Sequence, residues 1–244
     1  MKNVNKNKRS AFSLIELSIV LIIIGLLIAG VTGGASLIKS AELRSAMSEA
    51  RGYSVAVNAF YTQFDAYPGD FNIATTSGDL IGDLDGLIEY NNFAAPAVAE
   101  GHEAWRDLFA IGAISDALTY GNTTTAQAVP TTNLPASKIN NAGWSFDSKG
   151  ASNYAILTGT TAAVSSAAGD GFSSTNNSSV VFAGIITPTD ALSIDRKTDD
   201  GLASAGEVQA VGGATCLTYA LNAGTYTVSN SGLTCALAFN VDVN

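Results

Sequence analysis

The chain has 244 residues, of which 47 % are apolar and 14 % charged, enough for a real core and too apolar for wholesale disorder. Its net charge of −9 conceals an asymmetry: Lys2, Lys6, Lys8 and Arg9 place four of the 12 cations in the first nine residues, leaving eight cations against 21 carboxylates in the remainder. That acidic bulk excludes direct nucleic-acid binding, which begins by neutralising phosphates, and basic residues ahead of an apolar run predict that the chain's start stays in the cytoplasm.

The first element is the apolar run 17–38, interrupted only by Ser18, Thr32, Ser36 and a few glycines. About 22 residues at 1.5 Å each span about 33 Å, enough for a bilayer core. Two ordinary readings are open. One is a signal peptide whose small residues near Ala35 form a cleavage site that releases an exported binding protein or enzyme. The other is an unprocessed bitopic anchor. Neither accounts for Glu16, a carboxylate just inside the N-terminal edge of a segment where a charge costs about 2.5–3.5 kcal/mol at the membrane centre.

The stretch "SAFSLIELSIVLIIIGLLIAG" resembles the N-terminus of type IV prepilins and of the related pseudopilins of type II secretion. Their pattern is a short basic leader, a small residue, a Phe that opens the mature chain, and a Glu four residues after it. Here these are residues 2–9, Ala11 (where the family usually has Gly), Phe12 and Glu16. The resemblance implies that prepilin peptidase cuts between Ala11 and Phe12 on the cytoplasmic side and N-methylates Phe12. It also implies that the helix is kept and that the chain assembles with itself and other pilins or pseudopilins at an inner-membrane platform. The precursor would sit in the inner membrane with its leader cytoplasmic and its head periplasmic. The product would be an extracellular pilus or a periplasmic pseudopilus. Physics supplies a use for Glu16: cleavage creates a new amino cation, and a buried charge is tolerable when paired and expensive when alone. Pairing between neighbouring subunits would favour assembly and set register, as a single polar group does in a coiled coil.

Helical periodicity continues past the apolar run through Met47, Ala50, Ser54, Val57, Phe60 or Tyr61, and Phe64, with Glu42, Arg44, Glu49 and Arg51 among them. This predicts an amphipathic continuation with one buried face. A helix from Leu14 to about Asp65 would be about 78 Å long, stopped by "YPGD" at 67–70. Three parts follow: a cleaved leader 1–11, a helix 12–66 with its membrane span at about 17–38, and a head 67–244.

In the head, "AWRDLFAIGAI" (104–114) has the period of a short helix. "SNYAILTG" (152–159) and "SSVVFAGIIT" (178–187) read as strands, as do "TCLTYAL" and "LTCALAFNVDV", with an Asn/Gly-rich connection at 222–232. Segments 121–135 and 160–177 read as loops. The fold class is α+β, a long N-terminal transmembrane and assembly helix packed on a C-terminal antiparallel sheet. "YPGDFNIA", "GDLDGLI", "EAWRDLFAIGAI" and "DRKTDDGLASAGEVQA" are similar to segments found in that order in a group of prepilin-type proteins.

Cys216 and Cys235 form an even, closely spaced pair that reads as a disulfide in an exported chain. Closing such a loop contributes about 3 kcal/mol in the chain-entropy view. Two carboxylate groups are candidate calcium sites: Asp79, Asp83, Asp85 and Glu89 around "GDLDG", and Asp195, Asp199 and Asp200 around "DRKTDDG". Neither has EF-hand spacing, and Asp-Gly is also ordinary turn chemistry. His102, the single histidine, lies in a polar stretch and reads as exposed or incidental rather than catalytic. Trp105 and Trp144 read as core aromatics. No nucleophile-elbow or P-loop pattern is present. The expected role is therefore structural rather than enzymatic, with assembly energy supplied by a separate motor.

Overall fold

A computed structural model describes residues 13–71, 82–90, 100–115, 118, 129–160, 162–164, 179–218 and 224–243, with backbone alone at 162–164 and 179–181. It divides into two compact units, Met1–Ala41 and Glu42–Asn244. The boundary falls inside the first helix, α1 (Leu14–Phe64).

In the first unit the described chain is helix from Leu14 onward, and the apolar side chains up to Ile38 are exposed. Ser18, Thr32, Ser36 and Ser40 do not break the helix, because each hydroxyl donates back to a carbonyl three or four residues earlier. That local bond leaves no polar group unsatisfied in an apolar segment.

In the second unit α1 buries Leu43, Ala46, Ala50, Ala56, Val57 and Phe60, the face expected from the period. The helix ends at Phe64, three residues before "YPGD". Asp65 takes a left-handed conformation (φ 56°) and its N–H donates to Tyr61 O at 2.8 Å, so a short polar residue does the capping and Pro68 follows it.

Helix α2 (Glu100–Ala110) and the strands β1 (Gly143–Lys149), β2 (Ser152–Thr158), β3 (Ala162–Val164) and β4 (Ser179–Val181) follow. After them come helix α3 (Pro188–Thr198) and strands β5 (Val208–Val211), β6 (Leu217–Thr218), β7 (Thr225–Tyr226) and β8 (Ala236–Asn240). The main sheet is antiparallel in the order β1-β2-β8-β5, so the layout is the α+β arrangement expected from the sequence. Pairs β3-β4 and β6-β7 form two small ribbons.

Several elements differ from expectation. Helix α2 begins four residues before 104 and stops at Ala110, with Gly112 left-handed just beyond it. β1, β3, β5 and α3 were not anticipated. The connection 222–232 contains β7, which pairs with β6, while β8 pairs with β2 and β5; the two C-terminal runs are therefore not hairpin partners. Most of 121–135 and 160–177 lies outside the described residues.

An aromatic cluster joins three elements. Tyr53 of α1 meets Trp105 of α2 edge-on at 4.8 Å and Trp144 of β1 at 5.4 Å, and Trp105 stacks on Phe146 at 4.2 Å. Both tryptophans are fully buried, as the sequence suggested. Beside them sits half-buried Glu49. Its Oε2 accepts from Trp144 Nε1 (2.8 Å) and Ser137 Oγ (2.7 Å), and its Oε1 from Lys138 N and Ser45 Oγ (both 3.1 Å). Removing that acceptor strands a buried indole N–H. We expect Glu49→Ala to destabilise the full chain in detergent by about 1.5–3 kcal/mol, read from the midpoint of urea unfolding followed by tryptophan fluorescence, with Glu49→Gln milder. An unchanged midpoint in Glu49→Ala would refute this role.

Candidate functional site

Two places concentrate the chemistry foreseen from the sequence: the start of α1 and the acidic loops. Ala11 and Phe12, with the basic residues 2–9, lie outside the described residues. Glu16 is described, and its environment is local. Its Oε2 accepts from Ser13 N at 2.8 Å while Ser13 Oγ accepts from Ile15 N at 3.3 Å. A Ser followed three residues later by Glu, bonded in this way, is a capping box, and a carboxylate in the first turn also complements the helix dipole.

From Leu17 to Ile38 the helix is apolar all round and uncovered; none of its most apolar 18-residue window is buried. It is long and apolar enough to cross a membrane. A helix of this kind needs lipid or other helices around it. A Cβ added at Gly25, Gly30, Gly33 or Gly34 would meet nothing within 4 Å, and the helix runs unbroken through all four. Small residues there leave room for a close-packed second helix.

The acidic residues fall into two environments. Asp195 was expected on a glycine turn, but it lies within α3 and is fully buried. Its Oδ2 accepts from Tyr226 OH at 2.7 Å and its Oδ1 from Gly201 N at 3.0 Å. Asp199 Oδ2 takes the N–H groups of Glu207 and Val208, and Asp200 Oδ1 takes that of Leu202. These carboxylates approach within ligand distance of one another, yet hydrogen bonds from the protein already employ each of them.

The other group is larger than the sequence indicated. Asp79 lies outside the described residues, whereas Asp83, Asp85 and Glu89 are joined by Asp70 and Glu100. Asp70 had been read as part of a helix stop and Glu100 as part of a polar stretch; the signal that unites them is the close packing of three backbone segments. Gly69 is left-handed (φ 85°), and a Cβ there would overlap the Glu100 carbonyl oxygen. Burial, with the negative charges of Asp85 and Asp83 added, pushes Asp70 up to about 6. Burial, with Asp70, Asp83 and Glu89 added, pushes Glu100 up to about 9.

His102 corrects the expectation of exposure. It is buried, its ring meets Tyr90 edge-on at 5.3 Å, and burial pushes its pKa down to about 4, so the imidazole is neutral. Its polar neighbours are not at the surface either: Glu100, Glu103 and Asp107 are buried as well, and α2 packs on β1. No nucleophile is hydrogen-bonded to the His102 ring among the described residues. Cys216 and Cys235 are disulfide-bonded, with Cα atoms 5.0 Å apart.

With that geometry described, the comparisons add one positive result. Residues 6–32 match the family model described as the prokaryotic N-terminal methylation motif. The chain therefore has a prepilin-type N-terminus, and the matched motif belongs to structural, pilin-type proteins. No curated protein and no solved structure matches the chain.

The Asp195–Tyr226 pair generates a pH test. Burial holds the Asp195 carboxyl at about 6, above its ordinary 3.8, and pushes the Tyr226 phenol upward as well. A carboxyl whose folded pKa is raised contributes stability that is complete below its unfolded value and is lost as pH climbs through the folded one. We expect the stability of the full chain relative to its Asp195→Asn variant to fall between about pH 4 and about pH 6 and then level off, measured as urea midpoints in detergent. A difference independent of pH across that window would show that Asp195 is not held protonated.

Proposed function

We propose that this prepilin-type chain is a structural subunit of a type IV pilus or a type II secretion pseudopilus, and not an enzyme. The observation that carries the reading is the coincidence of the methylation motif at 6–32 with a helix whose apolar side chains are uncovered from Leu14 to Ile38. Prepilin peptidase removes residues 1–11 on the cytoplasmic face and methylates Phe12. The helix stays in the inner membrane with the acidic head periplasmic until subunits, together with other pilins or pseudopilins, are drawn into a filament at an assembly platform. Their exposed α1 faces then bury one another, a large gain for surfaces of this kind. Conventional signal peptidase acting near Ala35 would discard exactly the surface that has no other partner among the described residues, which is why the retained helix is preferred.

Glu16 supplies the electrostatic half of this reading. In a filament its carboxylate neutralises the amino cation that cleavage creates at Phe12 of a neighbour. Losing one member of such a buried pair costs about 3–5 kcal/mol.

Two measurements test the proposal. Mass spectrometry of the chain from cells with active prepilin peptidase should find it beginning at Phe12 and one methyl group heavier. A mature start near Ser36 would support the signal-peptide reading, and a retained Met1 the bitopic one. Glu16→Gln keeps the capping box, since Gln serves it as well as Glu, but it removes the charge. The variant should be processed and inserted normally, yet accumulate as monomer in the membrane and be strongly depleted from sheared or overproduced filaments. Filament yield equal to wild type would overturn the pairing role of Glu16.

A further inference from the structure

We propose that Asp70, Asp83, Asp85, Glu89 and Glu100 form a calcium site that ties the segment 82–90 to the turn after α1 and to the start of α2. The five residues make two overlapping triads, Asp70–Asp83–Asp85 and Asp83–Glu89–Glu100, that share Asp83. In each triad one carboxylate oxygen per residue lies within 4.8 Å of the others. That limit is about twice a calcium–oxygen distance, whereas the shorter magnesium bonds would demand a tighter set.

Proximity of acids alone is common. What distinguishes this group is two buried oxygens with nothing to bind. Glu100 is 0 % exposed; its Oε2 accepts from Glu89 N at 3.2 Å, and its Oε1 has no partner. Asp70 is 2 % exposed; its Oδ2 accepts from Gly86 N at 2.8 Å, and its Oδ1 has no partner. Buried polar atoms in folded proteins are nearly always satisfied, and an exception asks for an ion, a water or a role. The Asp195 triad makes the contrast within the same chain: its carboxylates also accept hydrogen bonds from the protein, but none of its buried oxygens is left without a partner.

The donors are oxygen only, which selects a hard cation over zinc or copper. Asp83 and Asp85 are exposed, so the ion has access from solvent, while Asp70, Glu89 and Glu100 close the inner side. A bound ion cross-links three stretches that are joined here by hydrogen bonds such as Gly86 N to Asp70 Oδ2 and Glu89 N to Glu100 Oε2. The site is independent of filament assembly, so its failure would leave the proposed function untouched.

The test is thermal unfolding of the full-length chain in detergent, stripped with a chelator and then titrated with calcium chloride alone. Tm should rise by about 5 °C or more at a hundredfold excess over Kd, and chelator should reverse the rise. Glu100→Gln, which keeps the bond to Glu89 N, should abolish the shift. Because a buried substitution can impair folding, Asp85→Asn at an exposed position is the second variant, and it should weaken calcium affinity at least tenfold with the stripped Tm unchanged. Asp195→Asn should retain the full response. No shift with calcium, an equal shift with magnesium at the same ionic strength, or an undiminished response in Asp85→Asn would each overturn the site.

Discussion

Glu49 accepts four hydrogen bonds, and three of the donors come from residues 88 to 95 positions further along the chain. It lies on the flank of a face otherwise lined by Ala46, Ala50, Val57 and Phe60, where apolar packing alone would tolerate some rotation or sliding of the helix. A half-buried carboxylate does not tolerate it: shift the helix by one residue and the acceptor leaves Trp144 Nε1, stranding a buried donor and desolvating an anion together. The aromatic contacts of Tyr53 with Trp105 and Trp144 then follow one turn away. Trp144 belongs to β1, whose pairing with β2 leads in turn to β8 and β5, so the register of the whole sheet against α1 is referred to this one acceptor.

The same device recurs wherever irregular chain must be held. Loop backbone has no ladder partner, and buried N–H groups need one. Here side-chain oxygens supply it: Asp147 Oδ1 accepts from Tyr90 N, Asn153 Oδ1 from Ile88 N and Asp107 Oδ2 from Gly69 N. Asp147 and Asn153 stand on β1 and β2, so the segment 82–90 is held to the sheet by strand side chains. The free edge of β1 is met at its start by another segment, where Trp144 N donates to Pro135 O at 2.9 Å and Ala136 bridges Gly143. Gly101 is part of the same arrangement, because a Cβ there would meet Phe146 O at 2.6 Å.

This use of buried polar side chains explains what could and could not be read in advance. α1 was legible along nearly its whole length because its apolar period is long and unbroken. Its end, expected at about Asp65, falls at Phe64, where the left-handed Asp65 caps it ahead of Pro68. β2 and β8 carry the apolar runs "YAIL" and "ALAF" and stood out. β1, with the sequence "GWSFDSK", did not: Ser145, Asp147 and Ser148 are as buried as Trp144 and Phe146, so the expected alternation is overwritten by hydrogen-bonded polar residues. His102 was read as exposed for the same reason, since it lies in a polar stretch. α3 had a legible start, Thr187 capping Asp190 N with Pro188 in the first turn, but its interior is too polar for periodicity to show. Of the acidic site, the members within "GDLDGLIE" were visible as a cluster. Asp70 and Glu100 reach it only through folding, from segments that are distant in sequence.

The local role of Glu16 and the pairing proposed for it draw on different properties of one side chain. In the single chain it completes a capping box with Ser13, which lets the helix begin at Leu14 despite the orphan amides of a first turn. A carboxylate at this position is therefore not by itself a sign of assembly, since a soluble helix would benefit in the same way. What sets this one apart is its surroundings: it opens a segment with no aqueous face, where capping could be had from a neutral Gln at far lower cost of insertion. The cap engages one oxygen, and a carboxylate has acceptor sites to spare on the other. The charge is thus surplus to the helix's own needs, which is what the proposed pairing with a cation of another chain would draw on.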